Sequence, residues 1–75
     1  MKTENELKVK SWEKAIITAL IEKGPLEQES LYLESRVRGG KGRYPLFFKA
    51  LKTLESTGAA KSLSYNNHRI WYLNQ

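Results

Sequence analysis

The sequence predicts an α+β domain: three helices followed by a C-terminal two-stranded β-hairpin. Three observations carry that prediction. Apolar residues recur at helical spacing in two segments, and each segment is closed by glycine (Gly24 and Gly58). A basic stretch with three glycines in four residues separates the middle of the chain from the last helix. The tail reads as two strand-like runs on either side of Asn66-Asn67.

Residues 1–10 read as a flexible N-terminal leader, ahead of a folded domain over 11–75. Met1-Lys2-Thr3-Glu4-Asn5-Glu6 is polar, carries both charge signs and lacks the apolar stretch of a secretory signal. Leu7 and Val9 would pack as a short strand or as a helical extension. In the first helix, Trp12, Ala15, Ile16, Ala19 and Leu20 form one apolar stripe. Ser11 is the expected N-cap. Gly24 suits the left-handed position after a helix, and Pro25 cannot continue it.

A shorter second helix is expected from Leu26, which packs inward, to about Ser35. Glu27 and Glu29 fall in its first turn, where the positive end of the helix dipole favours acid. Leu31 and Tyr32 face the core, and Leu33 falls on another side. Arg36-Val37-Arg38-Gly39-Gly40-Lys41-Gly42-Arg43 is too rich in glycine for a stable helix. The third helix is expected from Tyr44-Pro45, with proline in its first turn, to Gly58. Phe47, Ala50, Leu51 and Leu54 are its buried stripe. Glu55, near its C-terminus, opposes the dipole at a cost of a few tenths of a kcal/mol.

In the tail, 61–65 and 68–73 are the strands, and the asparagines accept the positive φ of a tight turn. Trp71 and Leu73 point one way, Ile70 and Tyr72 the other. Trp71 and Leu73 are assigned to the core.

Hydrophobic residues make up 40% of the 75-residue chain, enough to fold one domain and too many for a disordered one. There is no cysteine, which excludes a disulfide framework and a Cys-based zinc site and fits a reducing cytoplasm. The longest apolar run, around Ala15–Ile21, is too short and interrupted to span a bilayer, so no membrane partner is expected. Charge is unevenly spread. Residues 1–35 hold five Lys against seven Glu, net −2; residues 36–75 hold eight Lys or Arg against one Glu, net +7. One basic half reads as a surface aimed at a polyanion.

The order of elements resembles the winged helix-turn-helix superfamily over residues 11–75. Phe47-Phe48-Lys49-Ala50-Leu51-Lys52-Thr53-Leu54-Glu55-Ser56-Thr57-Gly58 is similar to the recognition helix of MarR-, PadR- and ArsR-like regulators, with its Leu-x-x-Leu-Glu and glycine stop. Arg69-Ile70-Trp71-Tyr72-Leu73 resembles their closing wing strand. Ala19-Leu20-Ile21-Glu22-Lys23-Gly24-Pro25-Leu26 resembles their junction between the first two helices. Ala59-Ala60 stands where the family commonly has Leu-Ile, and the link before the third helix is longer and richer in glycine. The sequence ends two residues past the wing, so the family's dimerisation helix and effector domain do not carry over.

The resemblance implies double-stranded DNA as partner, with the third helix in the major groove and the wing along the backbone. The outer face of that helix would hold Tyr44, Leu46, Phe48, Lys49, Lys52 and Thr53. Lys49 and Lys52 are neighbours that reach a guanine edge or a phosphate. Phe48 is assigned to the core because large aromatics usually bury; the alternative is an exposed contact to thymine methyls. Arg36, Arg38, Lys41 and Arg43 would supply charge to phosphates, with the glycines letting backbone N–H groups approach. Lys61, Asn66, Asn67, His68 and Arg69 would serve from the wing. All these groups are expected on one side of the molecule.

A lone histidine without cysteine builds no multi-residue metal site and no general-base constellation, so neither cofactor, metal nor catalysis is expected. The Gly-Lys-Ser/Thr of a nucleotide-binding loop is missing, since Gly42 follows Lys41. Five to seven phosphate contacts would give a log–log salt slope of roughly −5 to −6. A homodimer on two half-sites would supply specificity. The competing reading is a protein-interaction module that uses the apolar part of the third helix; RNA binding lacks an aromatic platform.

Overall fold

The computed structural model describes residues 3–74. Its first helix, α1, spans Glu4–Lys23 and begins seven residues before the expected Ser11 cap. Thr3 is the N-cap, its hydroxyl accepting from Glu6 N–H at 3.2 Å. Thr3-Glu4-Asn5-Glu6 has the Ser/Thr-x-x-Glu spacing of a capping box, with acid in the first turn. The expected helix start is thereby corrected: residues 4–10 take the helical extension of the two alternatives open to Leu7 and Val9, and Val9 is buried, one turn before Trp12 on the same stripe. Met1 and Lys2 lie outside the described residues. Ser11 is a mid-helix residue whose Oγ donates to Lys8 O.

Gly24 closes α1, its N–H returning to Leu20 O at 2.9 Å. A second correction follows. The chain runs extended through Leu26–Glu27 as a short strand, β1, before α2 (Gln28–Val37) begins. Neither local composition nor periodicity marks two residues as a strand; β1 exists because it pairs with the C-terminal strand more than forty residues away, Leu26 opposite Trp71. In α2, Leu31 and Ser35 are buried, Tyr32 is half-buried, and Leu33 is 60% exposed. The helix ends two residues beyond Ser35.

α3 spans Tyr44–Thr57, with Pro45 in its first turn and Phe47, Ala50, Leu51 and Leu54 buried, as the spacing predicts. Gly58 takes φ 84°, Gly58 N–H bonds Glu55 O and Ala59 N–H bonds Leu54 O. That pair of bonds is a Schellman closure, which needs a left-handed residue. β2 (Ala60–Tyr65) and β3 (His68–Leu73) form the hairpin, with Tyr65 opposite His68. Asn66 and Asn67 have φ 47° and 66°, the two positive values of a primed two-residue turn.

The result is an α+β unit of three helices and a three-stranded antiparallel sheet ordered β1-β3-β2, a winged-helix-like layout. The two tryptophans anchor the core from opposite ends of the chain. Trp12 stacks on Tyr32 with centroids 5.4 Å apart and meets the edge of Phe47 at 5.3 Å. Trp71 is fully buried and Leu73 packs half-buried against the same cluster. Among the described residues no helix is long and apolar enough to cross a membrane.

Candidate nucleic-acid interface

α3 buries one face, so the opposite face is free by geometry. Phe48, Lys49 and Lys52 are exposed away from the buried stripe, Tyr44 is exposed at its edge with its ring against Phe47 and Tyr32, and Thr53 is half-buried with its hydroxyl donating to Lys49 O at 3.0 Å. Leu46 is half-buried against the core. The assignment of Phe48 to the core is corrected: it is 39% exposed, whereas Phe47 is wholly buried. A helix turns about 100° per residue, so adjacent residues cannot share one narrow stripe. The Lys52 ammonium lies 5.3 Å from the Phe48 ring centroid, a cation–π distance. Lys52 is also 3.5 Å from Glu55 Oε1. Lys49 borders a shallow depression with Glu6, Val9, Lys10 and Glu13, so the N-terminal half of α1 lies beside it.

The basic linker is built differently from a phosphate cradle. Arg38, expected to serve a phosphate, is engaged within the chain: its guanidinium is 2.6 Å from Glu34 and 2.9 Å from Glu22, which raises its pKa above the ordinary arginine value through hydrogen bonds to Glu34 first and Glu22 second. It fastens α2 to α1. The backbone N–H groups are committed as well. Those of Arg38, Gly39 and Gly40 bond carbonyls at the end of α2, and that of Lys41 bonds Ser11 Oγ at 3.1 Å. Four donors expected to approach a phosphate are thus used internally. Gly40 has a packing reason, since a Cβ there would lie 2.3 Å from the Trp12 ring. Arg36, Lys41 and Arg43 remain exposed. Arg36 lies 6.0 Å from the Tyr32 ring centroid.

Between the start of α3 and the tip of the wing runs a polar groove of about 500 Å³, lined by Glu27, Gln28, Glu29, Tyr44, Asn67, His68 and Arg69. His68 Nδ1 is 3.2 Å from Glu27 Oε1. Gln28 bridges two elements: it accepts from Trp71 Nε1–H at 3.0 Å and donates to Tyr44 Oη. Arg69 Nη1 donates to Ser62 Oγ at 3.0 Å, and Ser62 Oγ donates to Glu55 Oε2 at 3.5 Å. With the Lys52–Glu55 pair, this chain of contacts joins the exposed face of α3 to the wing.

The structure therefore brings together Tyr44, Lys52, Asn67, His68 and Arg69, with Asn66 beside them at the tip. The other expected groups do not join this groove: Lys49 lies beside the N-terminal half of α1, Arg36 lies near Tyr32, Lys41 is tied through its N–H to Ser11, the Thr53 hydroxyl bonds Lys49 O, and Arg43 is exposed. Arg38 turns to α1, and Lys61, exposed, alternates to the other face of β2 from Ser62, the residue that holds Arg69. Gln28, Glu55 and Ser62 belong to the arrangement without having been singled out as contacts. A polar residue whose partners lie 16 and 43 positions away leaves no periodicity to read. Comparison of the chain with protein-family models, with curated proteins and with solved structures found no match.

Proposed function

We propose that the chain binds double-stranded DNA as a small cytoplasmic transcriptional regulator of the winged helix-turn-helix kind, without catalysis, with α3 in the major groove and the β2–β3 hairpin along the backbone. The observation that carries this reading is continuity: the exposed face of α3 joins the wing through Lys52, Glu55, Ser62 and Arg69, beside a polar groove. A major groove about 12 Å wide admits one helix. Lys49, Lys52, Thr53 and Phe48 then face base edges, Phe48 as an apolar contact for thymine methyls. Arg36, Lys41, Arg43 and Arg69 serve phosphates, and Asn66, Asn67 and His68 lie along the backbone. The net +7 of residues 36–75 supports the polyanion.

With four basic groups, Arg36, Lys41, Arg43 and Arg69, given to phosphates, the log–log salt slope of duplex binding is expected at about −4. Titration of a duplex at two salt concentrations tests it, with K49A/K52A and R69A beside the wild type. The helix variant is expected to lose sequence preference and the wing variant affinity alone. No binding at low salt sinks the reading.

A second reading, a protein-interaction module, is favoured by exposed Phe48 and by an apolar groove of about 530 Å³ along Ile21, Pro25, Leu63, Ile70 and Tyr72. It takes over if duplex binding fails.

A further inference from the structure

The Gln28 side chain is oriented by a neighbour that has no choice. The indole N–H of Trp71 is a donor only, and it donates to Gln28 Oε1 at 3.0 Å in a place where Trp71 is fully buried. The amide oxygen therefore faces the indole. The amide nitrogen faces the other way and donates to Tyr44 Oη. The phenolic oxygen is thereby an acceptor toward Gln28, and its own proton has to be given elsewhere. Among the described residues Tyr44 Oη–H finds no acceptor. Tyr44 is the first residue of α3 and lines the helix–wing groove with Asn67, His68 and Arg69.

We propose that Gln28 is a positioning residue that fixes the Tyr44 hydroxyl as a hydrogen-bond donor directed into the helix–wing groove, where it takes an uncharged acceptor on a DNA base edge. The proposal rests on the duplex-binding reading. The choice of an uncharged acceptor follows from the charges lining the groove. Glu27 and Glu29 stand there against Arg69, with His68 held by Glu27. Two carboxylates outweigh Arg69 there, so a phosphate seated inside the groove meets repulsion that a base carbonyl or ring nitrogen does not; the phosphates that Arg69 and the wing tip serve lie outside it. The first residues of a recognition helix are also the ones that reach base edges.

The consequence is pre-organisation. A free phenol in water samples both in-plane directions for its proton; here one direction is closed by the Gln28 amide. The buried Trp71 N–H, which needs a partner in any case, sets the direction from the core.

The test is a cycle of Q28E, Y44F and the double variant, titrated with a preferred duplex obtained by selection and with a random duplex. The carboxylate introduced by Q28E accepts from Trp71 and from the phenol alike, so the fold persists while the hydroxyl is turned inward. Y44F is expected to weaken the preferred duplex by about five- to tenfold and the random duplex by less than about twofold. Q28E is expected to cost about five- to tenfold more in the wild-type background than in the Y44F background, because its added charge acts equally in both. An equal Q28E penalty in both backgrounds overturns the positioning role. Equal losses on both duplexes upon Y44F overturn the base-edge acceptor in favour of a phosphate. If the wild type binds neither duplex, the function reading fails and the acceptor with it. The Trp71 indole proton resonance then still decides the internal bond: it should shift in Q28L with the remaining spectrum in place, and an unmoved resonance refutes it.

Discussion

Phe47 and Phe48 are adjacent in sequence and opposite in environment. Phe47 closes the core against Trp12, Tyr32 and Tyr44, while Phe48 lies outside under the Lys52 ammonium. F47A is expected to cost about 3–5 kcal/mol in urea unfolding, the range for emptying a buried aromatic site. F48A is expected to cost about 1 kcal/mol or less and to weaken duplex binding instead. Arg38 makes the converse point. A basic residue in a basic segment reads as a phosphate contact, yet its hydrogen bonds to Glu34 and Glu22 hold α2 against α1. R38A is expected to lower the melting temperature and to leave the salt slope of duplex binding unchanged. A slope shallower by about one unit would restore Arg38 to the phosphate contacts.

Among the elements, α1 shows how a cap moves a boundary. Ser11 and Thr3 both precede apolar residues at helical spacing, and both are good caps in isolation. Thr3 holds the position because Glu6 stands three residues on and Val9 adds a turn of buried surface. T3A is expected to cost about 1 kcal/mol and to lower amide-exchange protection before Ser11 by about fivefold. If residues 4–10 were frayed, neither would change. The hairpin turn depends on backbone φ alone. N66V forces a β-branched residue to the left-handed region and is expected to cost about 1–2 kcal/mol, read by urea unfolding.

Charge and packing act together across the molecule. The acidic first half is not spread at random. Glu22 and Glu34 neutralise Arg38, Glu27 meets His68, and Glu4 pairs with Lys8. The basic second half keeps Arg36, Lys41 and Arg43 exposed. Residues 3–10 are part of this unit. Their removal takes away the Thr3 cap and the buried Val9 side chain, and is expected to lower stability by about 2–4 kcal/mol, measured by urea unfolding. A change below about 0.5 kcal/mol would return them to the status of a leader.

What could be read from the order of residues is what local physics governs. The stripes of α1 and α3, the Gly24 and Gly58 stops and the Asn66-Asn67 turn each depend on neighbours within a few positions, and each is found where the spacing places it. Folding in three dimensions settled the rest. β1 is a strand because β3 lies beside it; Arg38 is spent on Glu22 because α1 passes there; Gln28 joins Trp71 to Tyr44 because the core sets indole and phenol on either side of it. These partners are distant along the chain, and no local preference for strand, charge or amide orientation encodes which distant group will arrive.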